Sequence, residues 1–584
     1  MASTTPYSSD DEAGGKSRVQ RFKHAFTSPA AFHEAIKLKS ATSYLINEDL
    51  LPSPPDRQTW NVWNFFAYWW SESWNVSTWS VGSSLITIGA SIRDALLVVL
   101  FANLLSATVM VLNGRAASRY HVGYPVLSRL SFGIYGQYFV VVLRSILGII
   151  WGGVQLYFEG QFISICLRCI FPSWERVPNK IPASQYITTQ TMVGFFLAFC
   201  CTIPFLFIHT SRIQHLFTAK SVVLPLAGLG IVIWATKNNG GVSAGQLEGS
   251  ASAGSIPVFA WGIVSQFNSV MGSNSALLVT IPDIARYEKK RNAQVWGQLL
   301  GLPIGQTLCA AFGVISTSAV LNMYGEAFWN PYDLLNGILD RSYTSPARAG
   351  VFFASACFAF ATLGTSIACN FIPFAADVTC LFPKYINIIR GQFLCLIIAF
   401  AIVPWRIVAT ANGFLNFLGG YSIFQGPVVA IMIVDYFLIR RGNIAMADLF
   451  TFSSSSRYHF FHGVNIRAFA AFVIGFLLPL PGFIGSFGVS VSAAASHMYA
   501  LGWVLSFVIG GVAYYVACLI FRVPGADAEK GLRFEQLVSE ADQLAYDGVA
   551  GEFVDGRGPT VVEAGRSSYD GSRETDEKRA EKIV

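Results

Sequence analysis

Trp151, Gln155 and Glu159 recur at i, i+4 and i+8 inside an otherwise apolar stretch, and Ser366, Asn370 and Asp377 recur at i, i+4 and i+11 inside another. Each spacing places its members roughly on one helix face. An indole with a carboxamide one turn away suits a planar heterocycle: the ring stacks on Trp151, while Gln155 and Asn370 each offer a donor and an acceptor to its edge. A packed helix interface would use the same residues, so the surrounding segments have to decide. Two apolar segments contain polar runs, Trp70-Ser71-Glu72-Ser73-Trp74-Asn75-Val76-Ser77-Thr78 in the first and Ser265-Gln266-Phe267-Asn268-Ser269-Val270-Met271-Gly272-Ser273-Asn274-Ser275 in the sixth. Both runs are expected to break their helices. Interrupted segments in matching positions point to a transporter site between inverted repeats. An ionisable side chain at the bilayer centre costs on the order of 2.5–3.5 kcal/mol, so Glu72 and Asp377 should face a cavity or a partner.

Membrane helices must carry these residues. The 584-residue chain is 53% hydrophobic and only 13% charged, with mean hydropathy +0.48. Soluble domains carry about 25% charge. Residues 521–584 hold 14 of the 34 acidic and 9 of the 40 basic residues, which leaves 20 and 31 for the first 520. That excludes a cytosolic enzyme, a nucleic-acid binder and a disordered scaffold. A span needs about 20 apolar residues, and such stretches fall near 62–88, 95–113, 137–167, 188–209, 217–236, 257–281, 294–323, 349–380, 388–404, 410–438, 467–486 and 499–521. From Ala468 to Phe521 there is no Asp, Glu, Lys or Arg. The expected architecture is an all-α membrane protein of twelve transmembrane helices.

With a cytoplasmic N-terminus, the inside joints hold fifteen Lys/Arg, Lys220 and Arg129 among them, and the outside joints hold eight. Both termini are therefore expected in the cytoplasm. Residues 1–57 read as a polar tail without a secretory signal pattern, so the first apolar segment is expected to direct insertion. Residues 58–440 read as the transport core, 441–521 as a joint and two further helices, and 522–584 as an unstructured cytoplasmic tail. Lys578 and Lys582 in that tail are candidate acceptors for ubiquitin-ligase machinery.

Several other motifs lack the context that their chemistry needs. Gly241-Val242-Ser243-Ala244-Gly245 matches a nucleophile elbow but sits in a Gly/Ser-rich loop instead of between strand and helix. Gly14-Gly15-Lys16-Ser17 lacks the first glycine of a phosphate loop, and His33-Glu34 has no second histidine for zinc. The Asn75-Val76-Ser77 sequon lies at membrane depth. Cys166 and Cys169 have no second pair, and most of the ten cysteines sit in apolar runs as small hydrophobes. The spacings Gly148/Gly152 and Gly297/Gly301/Gly305 predict close helix packing. His209 stands alone mid-chain, so no catalytic set, metal or cofactor is expected.

Along residues 45–455 stand, in order, Asn47-x-Asp49-Leu50, Ser128-Arg129-x-Ser131-Phe132-Gly133, Trp151-x3-Gln155, Ile281-Pro282-Asp283, Asn370, and Asp435-Tyr436-Phe437-Leu438-x-Arg440-Arg441. In this order they resemble the nucleobase–cation symport family, specifically its fungal Fur-type permeases (uracil, allantoin, uridine and thiamine permease-like). The resemblance implies a LeuT-type 5+5 inverted repeat plus two C-terminal helices, with alternating access around a midplane site. It implies that Trp151 stacks the substrate ring and that Gln155 and Asn370 bind its edge. Asn274, Phe267 and Asn75 complete the expected substrate-binding set. Phe417 to Phe424, with Tyr421, Gly419 and Gly420, would form a flexible outer-gate loop.

Two positions depart from the bacterial branch of that family. Asn274 replaces a second aromatic, and Gly364 precedes Thr365 where two adjacent hydroxyls bind sodium. Ser71, Trp74, Ala361 and Thr365 would be the remnant of that cation site. Glu72 and Asp377 offer proton chemistry instead, since a carboxylate in a low-dielectric cavity can exchange a proton near physiological pH. The expected function is proton-coupled import of an uncharged nucleobase or related heterocycle, such as uracil, allantoin or a purine-related base, across the plasma membrane, with sodium the lesser candidate ion. Uridine, thiamine or nicotinamide riboside transport, or a non-transporting nutrient receptor, are the alternatives. The expected partners are the small heterocycle and the lipid bilayer, and no nucleic acid.

Overall fold

A computed structural model describes residues 50–207, 214–243, 246–247, 256–523 and 531–537. The Asn47/Asp49 pair, Gly14–Ser17, His33, His209, the end of the GxSxG match at Ala244 and Gly245, and Lys578 and Lys582 lie outside the described residues.

The described residues are helical, with only isolated bridges in place of strands. The helices that position the site are α1 (Val62–Ser73), α2 (Val76–Thr87), α3 (Ile92–Tyr120), α4 (Tyr124–Phe132), α5 (Gln137–Ile170), α6 (Thr189–Thr202), α7 (Gln214–Asn238) and α8 (Ile256–Thr280). They continue with α9 (Ala293–Tyr324), α10 (Pro331–Arg341), α11 (Ser345–Ser366), α12 (Ile372–Leu381), α13 (Ile388–Ala401), α14 (Ala411–Val434), α15 (Ile466–Leu477) and α16 (Gly502–Ile520). Among the described residues, eight helices are long and apolar enough to cross a membrane, and α13 and α15 are shorter apolar helices. Large apolar side chains such as Leu226, Phe353, Ile397 and Leu519 point outward, the covering that hydrocarbon, and not water, accepts.

The first segment breaks where the polar run predicted. Trp74 and Asn75 leave the helical region, and α2 restarts with Asn75 as its cap. One carboxamide serves both halves: Asn75 Oδ1 accepts from the Thr78 amide at 2.8 Å, and Nδ2 donates to the Glu72 carbonyl at 2.5 Å. Backbone groups freed by the break are thus answered locally.

The expected break in the sixth segment does not occur. α8 runs unbroken through Ser265–Ser275, because its hydroxyls bond back to their own helix: Ser269 to the Ser265 carbonyl, Ser273 to Val270 and Ser275 to Gly272. Such back-bonding hides hydroxyls without opening the helix. Asn268 is spent on packing, accepting from the Trp503 amide at 2.7 Å at the start of α16. The expected gate loop at Phe417–Phe424 is likewise helix, the middle of α14. Gly419 and Gly420 act there as small packing surfaces, not hinges: a methyl on Gly420 would meet the Phe483 ring at 2.5 Å.

The segment holding Asn370 carries a feature the sequence reading missed. Between α11 and α12 the turn Ile367–Phe371 is a π-helix. Pro373 supplies the cause, since it has no N–H and its ring crowds the carbonyl one turn back. Such single-turn bulges often mark functional sites.

The glycine spacings have the use expected of them. On α9, a methyl at Gly301 would come within 3.1 Å of Phe66 Cα, and one at Gly305 within 2.6 Å of Ser73 Oγ. On α5, a methyl at Gly152 would stand 3.0 Å from the Phe371 ring. α9 therefore lies close along α1, α2 and α3, while α5 packs on α11 and α14 on α8 and α16.

Candidate functional site

The break between α1 and α2, together with α3, α5, α8, α9 and α11, encloses about 880 Å³ of atom-free space, part of it open to solvent. Trp151, Gln155, Asn370, Asn274, Asn75, Glu72 and Thr365 all lie on its wall. On α5 the wall runs from Arg144 to Gln155, eleven residues or about 16 Å at 1.5 Å each.

Gln155 Nε2 donates to Ser77 Oγ at 2.9 Å, which fixes the carboxamide and leaves Oε1 buried and unpaired. The indole N–H of Trp151 donates to the Tyr421 hydroxyl at 3.2 Å, and that hydroxyl donates to the Gly272 carbonyl at 2.6 Å. Only the ring of Trp151 is left for a ligand. Phe417 and Phe414 lie 5.8 and 6.4 Å from it, and Phe414 stacks on Trp329 at 5.6 Å. Tyr421 itself is off the cavity wall and meets it only through its hydrogen bond with Trp151.

Asn370 sits in the π-turn with no hydrogen-bond partner among the described residues, though it is 6% exposed. The extra residue of that turn re-aims the side chains that follow. Asp377 consequently turns away from the cavity and receives Arg144 Nη1 at 2.7 Å, with Ser145 Oγ at 3.4 Å.

Asn274 is tied on both sides. Its Nδ2 donates to Asn103 Oδ1 at 2.7 Å and Ser106 Oγ at 3.2 Å, and its Oδ1 accepts from Gln306 Nε2 at 2.9 Å.

Glu72 holds a second buried ion pair. Its Oε1 lies 3.3 Å from Lys220 Nζ, and its Oε2 accepts from the Cys369 thiol at 2.8 Å. Lys220 was expected in an inside joint, but it is a residue of α7 with no exposed surface. Its stem passes Gly364, where a methyl would stand 3.4 Å from Lys220 Cδ. The same methyl would meet Leu216 Cδ2 at 2.6 Å, so the bare glycine lets α7 lie close against α11 there. Nearby, Ser71 Oγ donates to the Phe217 carbonyl and Thr365 Oγ1 to the Ala361 carbonyl, while Trp74 packs on Phe312 at 5.1 Å.

Some expected residues stand apart. Phe267 lies two turns from Asn274 on α8, away from the wall. Glu159 is rotated about 80° from Trp151 by its eight-residue spacing and sits beside Thr202 of α6 instead. Arg129 and Arg440 are buried anchors and not loop charges: Arg129 donates to the Leu449 carbonyl at 2.9 Å, and Arg440 pairs with Asp435 at 3.1 Å. Sequence reading missed Lys220, Arg144, Asn103, Gln306 and Cys369. Arg144 left the plainest signal, a cation in an apolar run seven residues before Trp151 and hence on its face.

Residues 52–506 match the family described as permeases for cytosine/purines, uracil, thiamine and allantoin. The chain is 35% identical over 491 residues to the allantoin permease of Saccharomyces cerevisiae, across 83% of this chain and 77% of that one. It is 32% identical over 492 residues to the uracil permease of the same yeast, with the same two coverages. Among solved structures, the inward-facing conformation of Mhp1 superposes with a TM-score of 0.66 at 18% identity, over 86% of this chain and 98% of that one. A closed conformation of Mhp1, described as a nucleobase-cation-symport-1 family transporter with bromovinylhydantoin bound, gives 0.63 at 18% identity, over 85% and 99%.

The chain belongs to this family of nucleobase–cation symport permeases. It is a multi-pass membrane transporter with the Mhp1 fold, and its family is one of permeases, not enzymes.

Proposed function

We propose that this chain is a proton-coupled symporter that brings an uncharged nucleobase or related small heterocycle into the cell across the plasma membrane by alternating access. The carrying observation is the cavity wall: one aromatic ring with its N–H already spent, an unpaired amide oxygen on Gln155 and an unpartnered carboxamide on Asn370. That set stacks a flat ring and reads both a donor and an acceptor on its edge, without a lone charge to neutralise an ionic substrate. Uracil, allantoin and purine-related bases such as xanthine have this chemistry, and relatives named for allantoin and uracil are among the most similar. In this reading the twelve apolar stretches span the bilayer as a 5+5 repeat plus two, with both termini cytoplasmic.

The coupling ion is a proton. Lys220 Nζ already stands 3.3 Å from Glu72 Oε1 on the cavity edge, where a metal cation would otherwise meet that carboxylate, and the parting of this pair is the coupling event in this reading. Asn75 and Asn274 keep the wall in shape, and Tyr421 gates through Trp151.

The test is uptake in cells stripped of their own heterocycle permeases. Labelled uracil, allantoin, xanthine, uridine, thiamine and nicotinamide riboside are offered at acidic and neutral external pH. Accumulation of one of the first three, faster at acidic pH, is the expected result. Accumulation of none overturns the reading, and binding without accumulation makes the protein a receptor.

A further inference from the structure

Three carboxamides on three helices form a chain across the cavity wall: Gln306 of α9, Asn274 of α8 and Asn103 of α3. Its polarity is fixed from outside. Ser106 spends its hydroxyl proton on Met271 Sδ at 3.3 Å, so toward Asn274 its oxygen can only accept. The side of Asn274 facing Ser106 must therefore be its NH2 group, and its oxygen must face Gln306, whose Nε2 donates to it at 2.9 Å. The same NH2 group meets Asn103 at 2.7 Å, so Asn103 presents its oxygen to Asn274. What remains at the end of the chain is Asn103 Nδ2, buried and without a partner, on a residue that lines the cavity.

A buried amide donor left unpaired destabilises the empty protein, and an acceptor that meets it removes that penalty. We infer that Asn103 is a substrate-reading residue, whose Nδ2 donates to a carbonyl oxygen of the bound heterocycle, with Ser106 setting that polarity and Asn274 and Gln306 as the positioning residues that hold the amide in place. Gln155 Oε1 on α5 is its counterpart, an unpaired acceptor for a ring N–H. The substrate class is thereby narrowed to rings that carry a C=O and an N–H together, as lactams, imides and cyclic ureides do. This inference rests on the transport reading above.

The experiment measures uptake kinetics and competition in the full-length wild type and in Asn103→Ala, Asn103→Asp and Gln306→Met. The probe is whichever of uracil, allantoin and xanthine the wild type accumulates, paired with its thiocarbonyl analogues, C=S being a weaker acceptor than C=O. Asn103→Ala is expected to raise KM roughly ten-fold, the worth of one hydrogen bond, with Vmax kept. It should also flatten the discrimination between C=O and C=S at one ring position only. Asn103→Asp, which replaces the donor by an acceptor, should raise KM further, and Gln306→Met should flatten the same position without touching the ligand. A purely structural role would raise KM for the carbonyl and thiocarbonyl compounds equally, and that result overturns the inference. So does unchanged discrimination in Asn103→Ala, which leaves the transport reading standing. A wild type that accumulates none of the three probes removes both. Should Asn103→Ala fail to reach the membrane, the discrimination shown by Gln306→Met decides alone.

Discussion

The ammonium of Lys220 lies 3.3 Å from Glu72 Oε1, with side-chain exposures of 0% and 3%, so two charges from α7 and α1 neutralise each other on the edge of the cavity. Removing one partner of such a pair strands the other and costs about 3–5 kcal/mol, whereas replacing both with apolar groups is often tolerated.

Lys220→Met is therefore expected to lose most folded protein in a detergent thermal-unfolding assay, and Lys220→Met with Glu72→Leu to recover it. Neither variant should keep acid-stimulated uptake. Full acid stimulation in the folded double variant would remove this pair from coupling.

Arg144 and Asp377 form the comparable pair between α5 and α12. Asp377→Asn leaves a guanidinium unpaired on the cavity wall and should destabilise by about 3–5 kcal/mol, with the pH profile of the surviving uptake unchanged. If instead the variant melts like wild type and loses its pH response, Asp377 carries the proton rather than tethering helices.

Trp151 presents its ring, not its N–H, to the cavity. Trp151→Phe should keep substantial uptake, while Trp151→Ala abolishes binding with the protein still in the membrane. Tyr421→Phe cuts the link from Trp151 to Gly272, so equilibrium binding should change less than the transport rate. Normal uptake by Trp151→Ala would contradict the stacking role.

Glu535, in the described piece 531–537, accepts from Arg115 Nε and Nη2 at 2.6 and 2.8 Å and lies 3.3 Å from Arg119, both on α3. Its backbone N–H donates to the Arg441 carbonyl beyond α14 at 3.0 Å. Burial pushes its carboxyl up, but the hydrogen bonds and charge of Arg115, with Arg119, outweigh that and hold it below the ordinary 4.5. A depressed folded value stabilises docking above the unfolded value, and the effect is lost as pH falls through the folded one. Protection of residues 531–537 from hydrogen exchange should thus persist from neutral to mildly acidic pH and vanish in Glu535→Ala. Equal protection in that variant would show the carboxylate to be incidental.

The helical membrane class and the meeting of Trp151, Gln155 and Asn370 at one wall were legible because they rest on local pattern: apolar run lengths, and amides at four-residue spacing near an indole. The break at Asn75 was legible for the same reason, since Asn caps a new helix from its own position. What stayed hidden depends on distant partners. Ser265–Ser275 reads as a break until the carbonyls its hydroxyls reach are known, and Phe417–Phe424 reads as a hinge until Phe483 fills the space over Gly420. Lys220 looks like a loop charge unless Glu72, 148 residues away, is placed beside it. Glu159 was misplaced by angle alone, and Asn370 and Asp377 were parted by the π-turn ahead of Pro373.

The glycine row of α9 has a mechanical consequence. With Gly301 and Gly305 seated against Phe66 and Ser73, the backbones of α1 and α9 touch with almost no side chain between them to re-sort. The two are welded into a single stiff plank, so whatever hinge lets solvent reach the Glu72 side of the cavity has to lie along a seam where larger, re-sortable side chains meet, such as the ring layer of Phe414, Phe417 and Trp329.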